Sequence, residues 1–155
     1  MAGIFHLREI IDFAVRIEQN GHRFYTEAMK KFQDKNIQEL FQDLASEEMK
    51  HEATFRKLAM DLGSYSARES YPGEYEAYTS HFLKSHALGD SDLLEKKLAS
   101  IQGIADAIAI ALEFEKDSIA FFAGLKKFVG VKQEKLEEII QEEVRHIIRI
   151  SRYKK

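Results

Sequence analysis

Two stretches of this 155-residue chain combine side chains that bind metal ions: Glu47-Glu48-Met49-Lys50-His51 and, ninety-five positions later, Glu142-Glu143-Val144-Arg145-His146. A glutamate and a histidine three apart share one face of a helix. In both stretches that face is otherwise apolar, formed by Leu40, Leu44, Phe55, Leu58 and Leu62 around Glu48 and His51, and by Leu136, Ile139, Ile150 and Tyr153 around Glu143 and His146. Two more carboxylates intrude in the same way. Glu18 interrupts the stripe Leu7, Ile11, Ala14, Gly21, Tyr25, Ala28, Phe32, and Glu115 interrupts Ile101, Ile104, Ile108, Ala111, Ser118, Phe122, Leu125.

The neighbouring carboxylates Glu47, Glu52, Glu113 and Glu142 fall off these stripes and read as solvated helix surface. Glu113 is the nearest rival to Glu115; it is set aside because Glu115 stands seven before Phe122 as Glu18 stands seven before Tyr25. Tyr25 is placed to hydrogen-bond one of the carboxylates or a bound oxygen species, or else to pack in the core with its hydroxyl satisfied. His22 reads as a solvated flank residue. His6, His81 and His86 lie at an end or in a connection.

Positioning these residues takes four long helices, predicted at about 5–32, 37–62, 101–129 and 132–153. One proline and eight glycines leave few interruptions. Gln33-Asp34-Lys35-Asn36 is a break so short that the second helix folds back on the first. Gly130 marks a second such reversal, and Gly63 reads as a C-terminal cap. Residues 63–100 are the one long connection, with a turn at Ser70-Tyr71-Pro72-Gly73 and a short helix from Glu74 to Lys84. Its length suits a crossover along the bundle, or a reach to a neighbouring subunit. Glu18 and Glu48 each lie roughly 20 Å from the first reversal at about 1.5 Å per residue, so they are level with one another. The same count levels Glu115 with Glu143. The expected architecture is a duplicated helical hairpin in one domain, 1–155.

Four carboxylates and two imidazoles then converge in one interior, where each isolated charge costs several kcal/mol. Two divalent cations supply the matching four positive charges. Oxygen and imidazole donors suit iron or manganese, with zinc as an alternative, and two histidines leave coordination positions open.

Composition narrows the other classes. The chain has no cysteine, which excludes disulfides, thiolate zinc sites and iron-sulfur clusters. A net charge of -3 with both signs interspersed offers no basic field for nucleic acid or anionic lipid. The apolar window from Ile101 to Phe114 contains Gln102 and Asp106 and falls short of a membrane span, and no export signal is read at the N-terminus. A cytoplasmic protein is expected. Phe13, Phe24, Phe41, Phe114, Phe121 and Phe128 sit at stripe edges, in the core or across a homodimer face.

With these residues in view the chain resembles the ferritin-like di-iron carboxylate proteins, and among them the rubrerythrins. The ferritin-like core takes a glutamate from each of two helices and Glu-x-x-His from each of the other two. The words Arg16-Ile17-Glu18, Phe24-Tyr25 and Glu113-Phe114-Glu115-Lys116-Asp117-Ser118 are also similar to this family. The resemblance implies an all-α ferritin-like four-helix bundle holding two iron ions. Glu18 and Glu115 would be terminal ligands, Glu48 and Glu143 bridges, and His51 and His146 would bind one ion each. It implies an oxidoreductase that reduces hydrogen peroxide; a ferroxidase using dioxygen, or a helical protein holding zinc for stability alone, are the alternatives. Full-length rubrerythrins carry a rubredoxin-like tail with four cysteines, absent here, so an external electron-donor protein is expected. They also carry one more glutamate a turn after the third-helix ligand. Ser118 stands there, which implies a more symmetric site, nearer the bacterioferritin kind.

Overall fold

A computed structural model of the chain describes residues 7–62, 69–85, 89–130 and 133–153, with backbone alone at 83–85. The described residues form six helices and no strand: α1 (Leu7–Met29), α2 (Lys35–Leu62), α3 (Glu74–Ser85), α4 (Ser91–Ala99), α5 (Ile104–Val129) and α6 (Gln133–Tyr153). The long helices pack as a ring, α1 on α2, α2 on α6, α6 on α5 and α5 on α1. The connection read as a crossover contains α3, laid against α5, and α4, laid against α1.

Local chemistry sets the helix ends. The α1 helix stops at Met29 rather than near Phe32, closing in a turn where Lys31 N donates to Ala28 O at 3.1 Å. Asp34 accepts from Asn36 N at 2.8 Å and Ile37 N at 3.2 Å, so α2 starts at Lys35, two residues before the expected position. The α5 helix starts at Ile104, not Ile101, behind Gly103, and Gly130 ends it at a φ of 73° that other residues rarely adopt. The turn at 70–73 is present, with Gly73 at φ 87° leading into α3. Helix α4 is a correction to the expected linker. Asp90 caps it by accepting from Leu93 N at 2.7 Å, and Leu94 and Leu98 bury its inner face. The expected cap at Gly63, the helix start at Phe5 and the α6 start at Lys132 lie outside the described residues.

The four stripes become the core. Leu7, Ile11, Ala14, Leu44, Phe55, Ile108, Phe122, Leu125, Leu136 and Ile150 are all buried. So are the six phenylalanines considered for a dimer face: Phe13, Phe24, Phe41, Phe114, Phe121 and Phe128 pack inside the single chain. Tyr78 fastens α3 to α5 by stacking on Phe121 with centroids 5.9 Å apart, and its hydroxyl donates to the Phe121 carbonyl. No described helix is long and apolar enough to cross a membrane.

Candidate metal centre

The ring brings Glu18 from α1, Glu48 and His51 from α2, Glu115 from α5, and Glu143 and His146 from α6 into one interior, none of them more than 3% exposed. They fall into two groups whose donor atoms lie within 4.8 Å of one another: Glu18, Glu48, His51 and Glu143, then Glu48, Glu115, Glu143 and His146. Glu48 and Glu143 belong to both. His51 Nδ1 lies 2.8 Å from Glu143 Oε1, 3.4 Å from Glu18 Oε2 and 3.9 Å from Glu48 Oε2. His146 Nδ1 lies 3.3 Å from Glu115 Oε1 and 3.4 Å from both Glu48 Oε1 and Glu143 Oε2. The rings stack with centroids 5.8 Å apart and 21° off parallel.

These contacts lack hydrogen-bond alignment. Among the described residues the buried side-chain polar atoms without a hydrogen-bond partner number nine, and all belong to these six residues: both oxygens of Glu18, Glu48 and Glu143, Glu115 Oε2, and Nδ1 of each histidine. Unpartnered polar atoms are scarce in protein interiors, and nine aimed at a common volume are a donor set for cations. Oxygen and imidazole ligands in this ratio fit two ions of the iron or manganese kind.

The proton affinities register the same strain. Burial holds the Glu18 carboxyl well above the usual range, only partly offset by Glu48. Glu48 is raised by burial and then by the charges of Glu143 and Glu18. Burial works against charge on His51, but Glu143, Glu48 and Glu142 outweigh it and raise the imidazole to about 9. His146 is likewise opposed by burial and raised by Glu143 and Glu48 to about 10. Glu143 is lowered: burial opposes its charge, and the two histidines more than compensate.

Three residues differ from their sequence readings or sharpen them. The Tyr25 hydroxyl donates to Glu115 Oε1 at 2.6 Å. Burial, then the charges of Glu48, Glu143 and Glu18, raise its phenol well above the ordinary value, so it keeps the proton it donates. Glu142, read as solvated surface, instead reaches across to His51 Nε2 at 2.5 Å. No periodicity within α6 reveals this, because the partner is on α2. His22 is not simply solvated either: its Nδ1 donates to Ala45 O at 3.0 Å and ties α1 to α2. Glu113 pairs with Lys97 at 3.0 Å on the surface, and Ser118 is buried beside the site's helix face.

A groove of about 720 Å³ runs between α2 and α6, lined in part by Lys50, Thr54, Lys135 and Arg145, and reaches His51 and His146. It leads from the surface to the edges of both imidazoles.

A four-helix ring with paired Glu-x-x-His helices and two further buried glutamates defines a ferritin-like diiron-carboxylate protein. A crystal structure from Thermotoga maritima, described as that of a candidate ferritin-like diiron-carboxylate protein, superposes with a TM-score of 0.68 at 25% identity, over 99% of this chain and 97% of that one. The rubrerythrin family model matches residues 9–153, and the chain belongs to that family. No curated protein matches it.

Proposed function

We propose that the chain is a di-iron oxidoreductase that reduces hydrogen peroxide to water with electrons from a separate donor protein, in the cytoplasm. The observation that supports it best is the set of nine unpartnered polar atoms from six buried residues. Each peroxide takes two electrons and two protons and leaves as two waters. Two bound ferrous ions would supply one electron each and the Lewis acidity that polarises the O–O bond.

The chain's own residues do the rest. Glu48 and Glu143, which belong to both donor groups, would be shared between the two cations, with Glu18 and His51 completing one position and Glu115 and His146 the other. Four carboxylates match the four charges of two divalent ions, so the interior stays near neutral once loaded. The core phenylalanines exclude bulk water, which keeps those electrostatic interactions strong. Tyr25 holds Glu115 in place with its hydrogen bond. The α2–α6 groove admits a molecule as small as peroxide to the histidine edges without opening the bundle.

The test is a comparison of oxidants. Protein loaded anaerobically with ferrous iron is mixed with hydrogen peroxide or with dioxygen in stopped flow. Peroxide oxidising the iron much faster supports the proposal. Faster reaction with dioxygen assigns a ferroxidase instead, and oxidation by neither, with metal removal lowering only the melting temperature, assigns a structural site.

A further inference from the structure

The two groups of donors look alike by duplication, yet their surroundings differ. On the His51 side, Glu142 stands with its side chain 35% exposed at the foot of the α2–α6 groove, Oε2 at 2.5 Å from Nε2. His51 Nδ1 faces Glu18, Glu48 and Glu143, so this nitrogen must be proton-free to bind a cation. Nε2 then carries the proton and donates it to Glu142. A carboxylate behind a ligating imidazole fixes its tautomer and orientation and strengthens it as a donor.

His146 has no such support. Its Nδ1 faces the carboxylates in the same way, but among the described residues no carboxylate is hydrogen-bonded to its Nε2. The residue in the matching sequence position, Glu47, pairs with Lys50 at 3.7 Å. A second difference acts in the same direction. Tyr25 donates to Glu115 Oε1 and draws electron density from that carboxylate, whereas both oxygens of Glu18 are unpartnered.

We propose that the two cation positions are unequal, and that Glu142 is the positioning residue that makes the Glu18, Glu48, His51 and Glu143 position fill first. This rests on the metal-centre reading above and adds an order of filling to it. The consequence is a protein that passes through a singly loaded state with the His146 position open.

Metal-free protein is titrated anaerobically with cobalt(II), followed by its visible absorption and by calorimetry. Wild type is expected to bind two ions in two resolved steps. Glu142→Ala should weaken the first step by about 10–100-fold, so that the steps merge while the total stays at two. Glu142→Gln, which keeps an acceptor oxygen, should lose less and serves if the alanine variant folds poorly. In zinc-loaded protein, ¹⁵N spectra should show His51 protonated at Nε2, with that proton exchanging faster in Glu142→Ala. A first step unchanged within twofold, or both steps weakened equally, overturns the proposal while leaving the metal centre in place. Wild-type protein that binds no cobalt removes the metal-centre reading and this proposal with it.

Discussion

Tyr25 on α1 donates its phenolic proton to Glu115 on α5 at 2.6 Å, so a residue of the first hairpin steadies a carboxylate of the second. The duplication does not return the favour, because Phe122 occupies the matching place and has nothing to donate. Tyr25→Phe should destabilise the metal-free protein by about 1–3 kcal/mol, the range for leaving a buried acceptor unsatisfied. With two cations bound, the freed Glu115 oxygen gains a cation to face, and the loss should shrink. Thermal unfolding of the metal-free and zinc-loaded variant measures both, and equal losses in the two forms would contradict this account.

Glu48 and Glu143 each belong to both donor groups, whereas Glu18 and Glu115 each belong to one. Glu48→Gln should therefore reduce bound metal to well below one ion per chain, and Glu18→Gln to about one. The metal-free proteins should respond in the opposite sense. Burial, then the charges of Glu143 and Glu18, raise the Glu48 carboxyl well above its ordinary value, so folding disfavours its ionised form, a cost that the amide does not carry. Elemental analysis after loading and melting curves after chelation check the two halves of this prediction. A metal-free Glu48→Gln that melts below wild type would show that burial of the charge is not the dominant cost.

How much of this was legible beforehand follows from what periodicity can encode. A polar residue in an apolar stripe reports a buried position on its own helix, and Glu18, Glu48, His51, Glu115, Glu143 and His146 are all found buried there. The repeat spacing also separated Glu115 from Glu113, which lies on the surface with Lys97. Glu142 and His22 escaped because each finds its partner on another helix, which no stripe records. Helix α4 escaped for a different reason: it is two turns long and buries only Leu94 and Leu98, too short a run to show a period. Asp90 before it was a readable cap signal. Asp34 was another, and would have moved the start of α2 to Lys35.

In metal-free protein, stability should fall as pH rises. His51 and His146 titrate at about 9 and about 10 when folded, against an ordinary value of 6.5. Between 6.5 and those values the folded state binds more protons than the unfolded one, so the stabilisation present below 6.5 is lost through the interval. Glu18 and Glu48, also raised, add a decline of the same sign that begins above 4.5. Glu143, lowered, acts the other way, losing its contribution as pH falls below 4.5. Bound cations replace the histidine protons, so the zinc-loaded protein should hold its melting temperature from pH 6.5 to 9 while the metal-free protein drops. A flat metal-free curve over that range would refute the assignment of those protons.

Two glycines give a pair of substitutions that separate the metal centre from the outer helices. A Cβ on Gly21 would lie 2.5 Å from Phe114 Cζ and 2.9 Å from Cε2. Phe114 is fully buried and meets Tyr25 edge-on at 6.2 Å, so it cannot yield without disturbing the residue that holds Glu115. Gly21→Ala should cost about 1–3 kcal/mol by overpacking and weaken metal binding with it. A Cβ on Gly124 would collide with the Tyr78 ring, and Tyr78 is one of the residues that fasten α3 to α5. Tyr78 is only half-buried, so α3 can lift away while the four-helix ring stays closed. Gly124→Ala should therefore speed hydrogen exchange across 74–85 yet keep two ions per chain. Loss of metal in Gly124→Ala would mean that α3 supports the centre, and unchanged metal affinity in Gly21→Ala would mean that Phe114 does not transmit strain to Tyr25.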